Sequence, residues 1–135
     1  MKILVFGSNG QVGSALNGQI ADQFDATFVT RRDADLTLTG AVTSCIEAYR
    51  PTHIINAAAF TAVDDAEEDS EQAFLINENA VQEMANAAKT VDASIIHYST
   101  DYVFDGTSAR PYVESDATNP LGIYGQSKFK LNSVN

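Results

Sequence analysis

The chain has 135 residues, 44% of them hydrophobic and 19% charged, and its 18 acidic against 8 basic side chains give a formal net charge of −10. That length supports one domain, which buries roughly two thirds of the surface its unfolded chain exposes. The charge excludes a binder of nucleic acid, whose phosphates it would repel; a nucleotide cofactor stays open because it needs only local donors. No apolar run nears the roughly 20 residues of a membrane span, and the apolar start at Ile3 is too short for a signal peptide. Cys45 is the sole cysteine and has no zinc-spaced neighbour. The expected compartment is a reducing cytoplasm, with no metal and no membrane partner.

Residues 2–6 form a short apolar run, a buried strand, and the glycine-rich segment from Gly7 to Gly13 follows at once. Val12, Ala15, Leu16 and Ile20 then recur at helical spacing. Residues 26–30 read as a second strand, and a polar stretch leads to a helix through Val42, Cys45 and Ile46 that Pro51 closes. Residues 53–56 give a third strand. The acidic run from Asp64 to Glu71 reads as a solvated loop and helix start, since it lacks the turn glycine and alternating ligands of an oxygen-type metal site. It opens a long helical region with Phe74, Leu75, Ile76, Val81, Met84 and Ala88 on its apolar side, and Asn77 marks a bend or junction there. Residues 94–99 are the fourth strand, followed by a loop of about 20 residues, long enough for a functional role. A last helix starts near Ile123. This alternation predicts an α/β fold of the Rossmann type, a doubly wound parallel sheet with helices on both faces.

Gly7-x-x-Gly10-x-x-Gly13 sits between a strand and a helix, the context in which such a pattern signals dinucleotide binding rather than a plain turn. The first glycine permits a tight turn, the second lets backbone N–H groups reach a pyrophosphate, and the third packs helix on strand. The helix start adds free donors and a positive dipole end. At the end of the second strand stand Arg31 and Arg32, with Asp33 and Asp35 beyond. An arginine there accommodates a 2′-phosphate and favours NADPH over NADH; the competing reading is that the pair simply covers a strand end.

Tyr124 and Lys128 are one helical turn apart and share a face. An ammonium beside a phenol favours the phenolate, and a tuned phenol can pass a proton to or from an alcohol oxygen. The bland alternative is a surface pair. Thr100 strengthens the functional reading, because it lies past the fourth strand, at the carboxyl edge where parallel sheets bind ligands. Ala57, Ala58 and Ala59 follow the third strand at that edge, small enough for a cofactor to lie close.

These segments, FGSNGQVG at 6–13, NAAAFTAVDDAE at 56–67, HYSTDYVFDG at 97–106 and the stretch through Asn119-Pro120 and Tyr124 to Lys128, carry a resemblance to the extended short-chain dehydrogenase/reductases, and within them to the dTDP-4-dehydrorhamnose reductase family. The resemblance implies NAD(P)H-dependent reduction of the C4 keto group of a dTDP sugar. It implies that Gly7, Gly10, Gln11, Val12 and Gly13 hold the pyrophosphate, Asp35 and Leu36 contact the adenine side, and Ala57, Ala58, Ala59 and Thr61 line the groove. Tyr98 and Lys128 hold the nicotinamide ribose, Thr100 and Asp101 face the sugar nucleotide, Tyr124 protonates the C4 oxygen and Thr100 hydrogen-bonds it. His97 reads as a packed strand residue. Two features depart from the family. Its acidic residue near the end of the second strand is absent and the loop to Asp35 is short, and its members continue into a substrate domain, whereas this chain stops shortly after Lys128. Residues 1–135 are therefore expected to be an incomplete dinucleotide-binding domain, inactive alone and able to self-associate. The competing functions are a non-catalytic nucleotide-binding regulatory subunit and a reductase or epimerase of another nucleotide sugar.

Overall fold

The computed structural model describes residues 1–129. Its centre is a parallel sheet of β1 (Lys2–Phe6), β2 (Asp25–Val29), β3 (His53–Asn56) and β4 (Ser94–His97) in the order β2-β1-β3-β4. The register pairs Leu4 with Thr27 on one side and Ile54 on the other, and Ile54 in turn with Ile95. Side chains alternate across a strand, so the sheet has two apolar faces. Leu4, Phe6 and Ile54 pack with Val42, Cys45 and Ile46 of α2 (Ala41–Tyr49) and with Ala80, Met84, Ala87 and Ala88 of α5 (Ala80–Val91). Ile3, Val5 and Ile55 face Leu16 and Ile20 of α1 (Gln11–Ile20). Val12, expected among the apolar positions of α1, is exposed instead.

The helical region after β3 is not continuous. α3 (Val63–Glu68) stops where Asp69 leaves helical geometry, and the Asp69 carboxylate accepts from Gln72 N–H to start α4 (Ser70–Phe74). One π-helical turn, Leu75–Asn79, then joins α4 to α5. Glu83 on α5 accepts from the N–H groups of Thr43 at 2.8 Å and Gly40 at 3.2 Å, which caps α2.

β4 ends two residues earlier than its apolar run suggests: its ladder with β3 closes at Asn56–His97, where β3 ends, and the Tyr98 carbonyl beyond accepts from Lys128. The long loop that follows is organised around Asp105. Its carboxylate accepts from the N–H and hydroxyl of Thr107, from Tyr112 at 2.8 Å and from Asn119 at 3.1 Å. Those donors, Thr107 N–H foremost, hold it well below the usual carboxylate range. Phe104 stacks on Tyr112 at 4.3 Å. The chain then enters α6 (Ile123–Phe129); the rest of the expected last helix lies outside the described residues.

Candidate active site

All four strands are parallel, so the segments that leave them meet at one edge. The turn after β1 sits in a cleft walled by Gly7, Ser8, Gly10, Thr30, Arg31 and residues 57–59. Gly7 has φ +80°, and a Cβ there would stand 2.5 Å from Ala58 N. At Gly13 a Cβ would collide with the Gly7 carbonyl, so only glycine lets α1 start this close to β1. The first turn of α1 presents N–H groups that a helix leaves without internal partners. Gly10 supplies no side-chain cap, and the turn carries no acidic residue. The Ser8 hydroxyl is buried with no hydrogen-bond partner. A free helix start and an orphaned hydroxyl in an alanine-walled cleft fit a pyrophosphate.

At the far end of the cleft, Asp33 turns the chain by accepting from Thr30 N–H at 2.7 Å and its hydroxyl at 2.8 Å. Arg31, its side chain 71% exposed, pairs with Asp35 at 2.9 Å. Asp35 also accepts from Thr37 N–H and Oγ1, and those bonds, ahead of Arg31, lower its carboxyl to about 2. Asp35 and Leu36 line the cleft with Arg31. Gln11, Val12, Gly13 and Thr61 stand outside its wall.

Lys128 is buried beneath the end of β4. Its Nζ donates to the Tyr98 carbonyl at 2.7 Å and lies 3.4 Å from His97 Nε2. Burial brings its pKa down to about 8. Tyr124, one turn earlier, packs edge-on against Tyr102 at 5.5 Å and faces a hollow with Leu121 and Phe104. Thr100 Oγ1 donates to Asp101 at 3.2 Å and accepts from Tyr102 N–H at 3.3 Å. It faces an adjoining hollow that shares Asp101, Phe104 and Tyr112 with the first. The structure thus joins Lys128 to Tyr98 and Thr100 to Asp101, and sets Thr100 and Tyr124 in neighbouring hollows.

Four residues absent from the expected site hold it together. Asn77, in the π turn, grips Phe60 through N–H at 2.9 Å and C=O at 3.0 Å, and reaches Ser127 on α6. Glu67 on α3 accepts from Ile123 N–H at 2.7 Å, at the start of α6. Asn56 bonds Ala58 N–H at 3.0 Å. The available sequence signal was a polar residue inside an apolar stretch, as at Asn56 and Asn77. Among the described residues no group of three metal-ligating side chains occurs, and no helix is long and apolar enough to cross a membrane.

A doubly wound parallel sheet with a glycine turn at its carboxyl edge is a Rossmann-type fold. The family model described as RmlD substrate binding domain matches residues 1–133, and the chain belongs to that family. It is 46% identical over 128 residues to dTDP-4-dehydrorhamnose reductase of Burkholderia thailandensis, across 95% of this chain and 43% of that protein. A crystal structure of a dTDP-4-dehydrorhamnose reductase from Clostridium acetobutylicum superposes with a TM-score of 0.90 at 40% identity, over 95% of this chain and 46% of that one. The Bacillus anthracis reductase, solved in complex with NADP, gives 0.89 at 34% identity, over 96% and 47%. The chain therefore spans less than half the length of these relatives.

Proposed function

We propose that this chain is the cofactor-binding half of an NAD(P)H-dependent dTDP-4-dehydrorhamnose reductase, with residues 1–135 forming an incomplete dinucleotide-binding domain. The observation that carries the reading is the meeting, at one sheet edge, of an uncapped helix start at Gly10 with a Tyr124–Lys128 helix. The names of the relatives and the NADP complex support it. When bound, the cofactor supplies hydride to the C4 carbonyl of dTDP-4-dehydro-L-rhamnose.

The chain's own groups do the rest. Gly7, Gly10, Gln11, Val12 and Gly13 offer backbone donors to the pyrophosphate, with the Ser8 hydroxyl beside them. Arg31 meets a 2′-phosphate, and Asp35 and Leu36 the adenine side. Ala57, Ala58, Ala59 and Thr61 line the groove. Tyr98 and Lys128 hold the nicotinamide ribose. Thr100 hydrogen-bonds the C4 oxygen, Asp101 faces the sugar nucleotide, and Tyr124 donates its phenolic proton to the oxygen as negative charge develops there. The buried lone thiol of Cys45 accords with a cytoplasmic setting.

The test is turnover of dTDP-4-dehydro-L-rhamnose with NADPH by the reductase polypeptide that contains this chain. Cofactor binding without turnover would support the regulatory-subunit reading instead. Turnover of a different nucleotide sugar alone would reassign the substrate.

A further inference from the structure

Behind Lys128, three polar side chains from three elements stand in a row. Asn56 closes β3 and is 1% exposed, His97 closes β4, and Lys128, 3% exposed, comes from α6. Asn56 Nδ2 lies 3.1 Å from His97 Nδ1, and His97 Nε2 lies 3.4 Å from Lys128 Nζ.

The proton positions follow from one end of the row. Asn56 Oδ1 accepts from Ala58 N–H at 3.0 Å. That bond fixes the amide's orientation and turns its NH2 toward the ring. An NH2 group offers only donors, so Nδ1 must accept, and a neutral imidazole then carries its proton on Nε2. This Nε2–H is aimed at Nζ. A lysine ammonium has three donors and no acceptor, so charged Lys128 meets His97 donor to donor. A neutral amine accepts from Nε2–H and still donates to the Tyr98 carbonyl. An imidazolium would set donors against both neighbours. Burial, together with the Lys128 charge, accordingly brings His97 down to about 4. Among the described residues neither group has a carboxylate partner. The polar groups bonded to the pair are the Asn56 amide from β3 and the Tyr98 carbonyl after β4; Tyr124 stands one turn back on α6.

We propose that His97, its tautomer set by Asn56, is a positioning residue that limits how many protons Lys128 carries. His97 thereby belongs to the working site and not to the packing. The inference rests on the assignment of Lys128 to that site, but its test needs no turnover.

The chain has two histidines and four lysines, few enough for each to be followed by NMR. Long-range proton–nitrogen spectra read the tautomer directly; the expected result is a neutral His97 protonated on Nε2 at pH 6. Titration of the lysine ε-carbons then compares the wild type with His97→Gln, whose amide can turn its oxygen to Nζ. The Lys128 midpoint should rise by about half a pH unit or more, while Lys2 and Lys89 stay put. A His97 protonated on Nδ1 overturns the proposal, as does an unmoved Lys128 midpoint in the folded variant. If His97→Gln does not fold, the wild-type tautomer decides by itself. Should tautomer and midpoint behave as expected while the whole protein neither binds NADPH nor turns over substrate, the reductase reading fails and the Asn56–His97–Lys128 arrangement stands.

Discussion

The side-chain amide of Asn77 donates to the hydroxyl of Ser127 at 3.0 Å, and that hydroxyl donates onward to the Tyr124 carbonyl at 2.8 Å. Both side chains are buried. With the two bonds from Asn77 to the Phe60 backbone, one clasp fixes the loop after β3, the π turn and α6 in a single arrangement. The helix bearing Tyr124 and Lys128 is placed by this clasp as well as by apolar contact.

Ser127→Ala removes one partner and leaves an Asn77 N–H buried without an acceptor. The expected loss of stability is about 1–3 kcal/mol. Asn77→Leu strands the Phe60 N–H and C=O too, so its loss should be larger. Urea unfolding of the two variants measures this. An unchanged midpoint for Ser127→Ala would show that another acceptor takes over.

On the proposed function, Tyr124→Phe in a reductase polypeptide that contains this chain should lower kcat by about 10²–10⁴-fold and leave cofactor affinity nearly intact, because the phenol is proposed to act in the transition state. Lys128→Met should impair both turnover and cofactor binding. Steady-state kinetics beside a cofactor titration separates the two patterns, and near-normal kcat in the phenylalanine variant would remove Tyr124 as proton donor.

Ser8→Ala should move stability and binding in opposite directions. It deletes a buried hydroxyl that has no partner, so the cofactor-free chain should gain stability, while NADPH should bind less tightly. Arg31→Ala should weaken NADPH more than NADH. Cofactor fluorescence, with thermal melting of the free chain, reads both. Equal losses for the two cofactors would leave Arg31 as a partner of Asp35 alone.

Stability should fall as pH drops from about 6.5 to about 4. In that window an unfolded chain takes a proton on residue 97 that the folded chain refuses, since the folded pKa of His97 is lowered to about 4. The contribution is complete above 6.5 and is lost on the way down to 4. His97→Gln should flatten this part of the profile. Urea midpoints at several pH values test it, and an identical slope in the variant would point to the carboxylates instead.

Ile96 is 49% exposed although it sits in a strand. It shares a sheet face with its register partner Ile55, and among the described residues β4 is the last strand on that side. Apolar strand surface of this kind pairs with other chains, so the 135-residue chain should self-associate with rising concentration, restrained by its charge of −10. Light scattering should show a dimer or small oligomer that Ile96→Lys disperses. A monomer at all concentrations would contradict this.

The strands, α1, α2 and the glycine turn were legible because each is a local pattern: an apolar run, a helical spacing, a small residue between them. The helical region after β3 was legible only as a whole. Its break depends on the Asp69 cap, and its wider turn on Asn77, whose side chain bonds Phe60 from within the helix, while an acidic run offers several equally good helix starts. The length of β4 was misread by two residues because its partner β3 ends at Asn56, and beyond that the Tyr98 carbonyl bonds Lys128, thirty positions away. The partners of His97 were out of reach because only the fold brings Asn56 and Lys128 to its two ring nitrogens. Tyr124 and Lys128 stand out in the sequence by their spacing and Thr100 by its place after the fourth strand, but the clasp and the Glu67 bond that place α6 join residues far apart in the chain.

The π turn at Leu75–Asn79 takes up one residue more than an α-helical turn. An α-helix advances about 100° per residue, so a residue absorbed in a wider turn offsets the apolar positions after it by one from those before it without rotating the helix. Ala73 lies in the half that packs beside α6, whereas Met84, Ala87 and Ala88 lie in the half that faces α2 and the sheet. A single rod thereby serves two partners in different directions. Deleting a residue of the turn other than Asn77 would therefore leave a uniform helix with both halves still facing their partners, whereas the same deletion between the turn and Glu83 would rotate the rest of α5 by about 100° and carry Glu83 away from α2. The turn is the stretch of this helix that should best tolerate a change in length.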